Sequence, residues 1–76
     1  MIFLIEYNRR EGRAVTFRRF ENAEQQEAAD RRLEIELDLN RRGIDHEVVL
    51  LDAASEDALR LTHQRYFLRL PDERVV

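Results

Sequence analysis

Seventy-six residues are enough for one domain, and a domain of this size buries only about 60% of the surface its unfolded chain exposes. The chain has no Cys, so disulfides and cysteine-held ions cannot supplement the core, and the remaining sources of stability are tight helix packing and association with another chain. A net charge of −3 argues against a general nucleic-acid coat, and the apolar run Ile2–Ile5 is too short for the roughly 7–15 residue core of an export signal, so a soluble, cytoplasmic protein with no membrane contact is expected.

Ile-Phe-Leu-Ile-Glu-Tyr at 2–7 reads as a strand that is apolar on both alternating faces until Glu6, the pattern of a strand in the middle of a sheet. Residues 13–20 read as a second strand, with Val15 and Phe17 on one face and Ala14, Thr16 and Arg18 on the other, a mixed pattern suited to an edge. The link Asn8–Gly12 joins them as a hairpin, with Gly12 free to take positive φ.

Asn22 is placed to cap a helix, with Gln25 completing a capping box, and the helix runs to about Arg42 with Gly43 as its left-handed stop. Within it Leu33, Ile35, Leu37 and Leu39 alternate with polar residues at the strand period. The unbroken Ala/Glu/Gln/Arg-rich context and the basic pair before Gly43 decide for helix. At about 100° per residue, Ala29, Leu33 and Leu37 form one stripe, and Ala28, Ile35 and Leu39 form another roughly 160° away. One stripe can cover the sheet, and the other is expected to face the second helix or another chain.

Residues 46–51 make a third strand, apolar on both faces. Ser55 caps a second helix whose first turn holds Glu56 and Asp57, with Leu59, Thr62, His63 and Tyr66 on its inner face. From Leu68 the chain is expected to fray, so residues 1–68 form the single domain and 69–76 a flexible C-terminal tail in which Pro71 stops any helix.

The expected fold is α+β: a ββαβα two-layer sandwich whose three-stranded sheet, in order 2-1-3, carries both helices on one face. The other face would then show apolar side chains to a partner. Ile35, Leu39, Ile2 and Leu4 are the candidate interface on this reading, and a homodimer or a complex with another protein is the expected state.

The chemistry-bearing residues are few. His46 and His63 lie in no metal-ligand spacing, Gly12 and Gly43 cannot assemble a phosphate-cradling loop, and no nucleophile–base pairing is legible, so neither enzymatic activity nor a cofactor is expected. All 13 basic residues are Arg, which coding bias in a GC-rich genome explains. Charge is segregated nonetheless. Residues 8–20 hold five Arg and one Glu, a net of +4, which leaves −7 on the rest of the chain. Tyr7, Phe17 and Phe20 interleave with this stretch, so nucleic-acid contact through Arg9, Arg10, Arg13 and Arg18 is the alternative to a protein-interaction module. Against it stands the ordinary use of Phe17 and Phe20 as core and of arginines as edge-strand protection. The first helix, net −5 over residues 21–38, offers a third possibility: a basic hairpin meeting an acidic helix across a two-fold axis.

Overall fold

The computed structural model describes residues 1–70. Strand β1 (Ile2–Asn8) pairs antiparallel with β2 (Arg13–Phe20) on one side and with β3 (Glu47–Asp52) on the other. The sheet order is therefore β2-β1-β3, and the fold is α+β as expected. Its centre goes to the strand that is apolar on both faces, because only there can Ile2, Phe3, Leu4 and Ile5 all be buried. The hairpin turn is closed by Gly12 N–H donating to the Asn8 carbonyl at 2.9 Å. The Asn8 side-chain oxygen takes the amides of Arg10 and Glu11, and Gly12 holds φ 65°.

The layering differs from expectation. Alternation sends Ile2 and Leu4 to one face of β1 and Phe3, Ile5 and Tyr7 to the other. The first set packs against Ala28, Ile35 and Leu39 of helix α1 (Gln25–Arg42), and the second against Leu59 of helix α2 (Glu56–Thr62) and Tyr66. The two helices thus lie on opposite faces, and the molecule has three layers rather than two. A central strand apolar on both sides requires this: each fully buried Leu, Ile or Phe is worth about 1.5–3 kcal/mol, which a bare face would forfeit.

The α2-side layer is completed by the segment after α2, which ends at Thr62 instead of carrying Tyr66 on its inner face as expected. After α2 the chain makes a 3-10 turn, Gln64–Phe67, that buries Tyr66. Arg69 then accepts a hydrogen bond at its carbonyl from Ala14 N–H at 2.8 Å, and Leu70 packs against the α2-side core. Arg69 and Leu70, the first residues of the expected tail, make these contacts, and residues 71–76 lie outside the described residues.

Three local details also depart from expectation. Between Glu6 and Tyr7 the pairing with β2 skips Val15, a bulge that reverses the facing of the residues before it. Ala14 consequently joins Phe17 in the α2-side core, instead of lying opposite it. The turn entering α1 is stapled by Glu21 N–H donating to Glu24 Oε1 at 2.8 Å, one register earlier than the expected Asn22/Gln25 box. Gly43 does end α1 in the left-handed conformation, φ 67°, and Ser55 Oγ caps α2 by accepting from Ala58 N–H.

Candidate functional site

Each face of the sheet holds one polar anchor, and both secure β3. On the α1 face Glu6, only 8% exposed, accepts from Thr16 Oγ1 at 3.1 Å through Oε1, while its Oε2 lies 2.7 Å from His46 Nδ1. These three residues come from β2, β1 and the entry to β3, so the group ties all three strands together across the sheet. A carboxylate in a buried central strand is tolerable only when its oxygens are paired, and here both are. Sequence reading missed this pairing across 40 positions. The available signal was Glu6 itself, the single charge within an apolar central strand.

On the α2 face Glu47 receives Tyr66 Oη–H at 2.7 Å and Arg65 Nη2 at 3.0–3.1 Å. The Arg65 guanidinium also lies over the Tyr7 and Tyr66 rings. Burial, then the hydrogen bond to Glu47 and its negative charge, push the Tyr66 hydroxyl up to about 12. This cluster fixes the 3-10 turn to the start of β3. His63 lies apart, its Nδ1 2.8 Å from Thr62 Oγ1 and its ring stacked on Tyr66. Among the described residues no three His, Cys, Asp or Glu side chains are placed to hold a metal ion.

The expected interface residues occupy other places. Ile2, Leu4, Ile35 and Leu39 are all buried between sheet and α1, so they form core and cannot meet a partner. Ile35 and Leu39 win the inner position, and the surplus stripe is the other one: Leu33 and Leu37 are 55% and 56% exposed on the outer face of α1. Leu61 and Leu68 are exposed too, but they belong to the opposite side of the sheet. Leucines scattered in this way are ordinary surface features.

The arginines proposed for nucleic-acid contact do not converge on one platform. Arg9 Nη2 pairs with Asp45 Oδ1 at 3.0 Å, Arg13 Nε lies 3.7 Å from Glu11 Oε1, and the Arg18 guanidinium covers the Phe20 ring at 5.0 Å. Arg10 stands exposed in the hairpin turn. Tyr7, Phe17 and Phe20 are buried, so none of the interleaved rings offers a face on which a base could stack.

The two sheet edges differ in a way that matters for association. β2 is guarded by its bulge, by Arg13, Arg18 and Arg19, and by the Arg69 carbonyl paired with Ala14. β3 has no such protection. Its four central residues, Val48, Val49, Leu50 and Leu51, are uninterrupted by charge, Pro or bulge, and all are half-buried. Val48 and Leu50 lean on the α1-side core and Val49 and Leu51 on the α2-side core, so both faces of this strand are partly wet. Ala53 N–H donates to the Met1 carbonyl at 3.0 Å, which places Ala53 among the residues hydrogen-bonded to β1. By alternation Leu51, Val49 and Glu47 also bond inward, and the backbone groups of Val48, Leu50 and Asp52 point outward. Among the described residues nothing pairs with them.

Comparison with known proteins returned no matching family model, no similar curated protein and no similar solved structure. No helix among the described residues is long and apolar enough to cross a membrane.

Proposed function

We propose that this chain is a small protein-interaction module whose working form is a homodimer. The observation that carries the reading is the unguarded outer edge of β3, where four consecutive apolar side chains are half-wet beside unpaired backbone groups. Such an edge is a template for another strand. Covering it in two copies at once removes on the order of 30 Å² of apolar surface per side chain from water, or about 6 kcal/mol over eight side chains at 25 cal/mol/Å². Association itself costs about 4–15 kcal/mol, so apolar burial alone leaves the dimer marginal and the edge hydrogen bonds must contribute.

Size-exclusion chromatography with light scattering over a concentration series tests the reading. A concentration-dependent shift from monomer to dimer mass is expected. A clean monomer at high micromolar concentration that binds no hydrophobic dye removes the proposal.

Nucleic-acid binding by the Arg-rich hairpin has less support, because its rings are buried and Arg9 is held by Asp45. It requires binding of single-stranded RNA or DNA that weakens steeply with salt and is lost when Arg10 and Arg13 become Ala.

A further inference from the structure

Resting on the proposed self-association, we propose that two copies join β3 to β3 antiparallel about a two-fold axis at Val49, forming one continuous six-stranded sheet. The outward backbone groups belong to Val48, Leu50, Asp52 and, by the same alternation, His46. Hydrogen-bonded pairs across the new seam must be drawn from this set. That parity forbids the register in which Glu47 of one copy would oppose Asp52 of the other. Two central registers remain, with the axis at Val49 or at Leu50.

With the axis at Val49, Val48 faces the second copy's Leu50 and His46, whose imidazole is bonded to Glu6, lies beside its Asp52, while Glu47, held by Arg65 and Tyr66 within its own copy, faces Leu51. With the axis at Leu50, Val48 faces Asp52 instead, a poor match.

Helix α1 supports the first register independently. Its C-terminal turn leads directly into β3, so the two run antiparallel, and Glu36 and Asn40 lie on the β3 flank beside Ile44 and Val48. A strand advances about 3.3 Å per residue and a helix about 1.5 Å. Taking Val48 as level with Glu36, which lines the same hollow, the level of Val49 falls roughly two residues before Glu36 along the helix. An axis there sets Arg32 of each copy opposite Glu36 of the other, and within each copy Arg32 Nε is already 3.2 Å from Glu36 Oε1. The four charges alternate in sign across the seam. Moving the axis to Leu50 would bring Arg32 against its own symmetry mate.

This self-complementary charge pattern selects a second copy over an unrelated strand as the occupant.

The chain has no Cys, so single-cysteine variants give an unambiguous test. Val49 would face Val49 in a non-hydrogen-bonded pair, with Cα atoms about 4.5 Å apart, within disulfide reach. Val49→Cys is expected to form a covalent dimer under mild oxidant at least ten-fold faster than Leu50→Cys. Val48→Pro removes only an outward N–H, so it is expected to keep the far-UV circular dichroism of the parent and to run as a monomer. Faster cross-linking at Leu50→Cys overturns the register. A parent dimer that survives Val48→Pro and cross-links at neither position overturns the β3 seam while leaving self-association standing. A monomeric parent removes both. Should Val48→Pro fail to fold, the cysteine comparison alone decides.

Discussion

Removing the His46 imidazole tests whether the Glu6 anchor holds the sheet together. In His46→Ala the Glu6 carboxylate, 8% exposed and fixed in a strand bonded on both sides, keeps only the Thr16 hydroxyl as a side-chain partner. Leaving a buried charged group without one of its hydrogen-bond partners costs about 1–3 kcal/mol or more. The His46 side chain is 16% exposed, so water can enter the vacated space, and about 2–3 kcal/mol is the better figure for this site. A domain of 76 residues has roughly 4–11 kcal/mol of stability in all, so the loss is a large fraction.

The sign of a second substitution is more telling than the size of the first. Glu6→Gln in the parent replaces a paired carboxylate by an amide and is expected to destabilise by about 1–2 kcal/mol. In the His46→Ala background the same change neutralises a stranded charge, so it is expected to stabilise by about 1 kcal/mol or more. Urea unfolding followed by circular dichroism at one fixed protein concentration reads all four corners of the cycle. If Glu6→Gln destabilises both backgrounds equally, the pair has no energetic role and the reasoning fails.

Leu39→Ala and Leu37→Ala separate the two stripes of α1. The first is expected to cost about 2–3 kcal/mol because Leu39 is buried, and the second under about 0.5 kcal/mol with dimer mass unchanged, as read by urea midpoints and light scattering. Gly43→Ala places a Cβ in open space but at φ 67°, so the loss is purely conformational; about 1 kcal/mol is expected, and less for Gly43→Asn. Tyr66 titrates near 10 when unfolded and about 12 when folded, so its contribution is complete below pH 10 and declines as pH rises from there to about 12. Urea midpoints across that window should fall with pH in the parent and fall less in Tyr66→Phe.

Sequence patterns reveal the elements better than their sides. Gly43 after two arginines, Ser55 before two acids, and the doubly apolar β1 each reflect a local rule, and each lands where that rule puts it. The choice between the stripes of α1 is not local. Ala29/Leu33/Leu37 and Ala28/Ile35/Leu39 carry nearly equal apolar content, and only the shape of the sheet beneath decides that Ile35 and Leu39 go in. The bulge at Val15 is a property of pairing with β1, so strict alternation put Ala14 on the wrong side of its strand. Tyr66 reads as the last inward residue of a longer second helix and Leu70 as part of a tail, yet α2 is only two turns long and Tyr66, Phe67 and Leu70, beyond its end, finish the layer that covers this sheet face.

That division of labour explains why the opening in this small fold is an edge and not a face. With β1 apolar on both sides, each helix is committed to one face, and among the described residues no element is left over to flank β3. The hairpin edge carries its own protection in arginines and a bulge, whereas β3 has only Glu47 and Asp52 at its ends. Glu47 is already engaged by Arg65 and Tyr66, which leaves Asp52 as the one outward-bonding charge on the strand. Placing a charge in the middle of β3 is therefore the change that would convert it into a guarded edge. Leu50→Lys would be expected to abolish self-association, at a cost in monomer stability set by the half-buried contacts of Leu50 with the α1-side core.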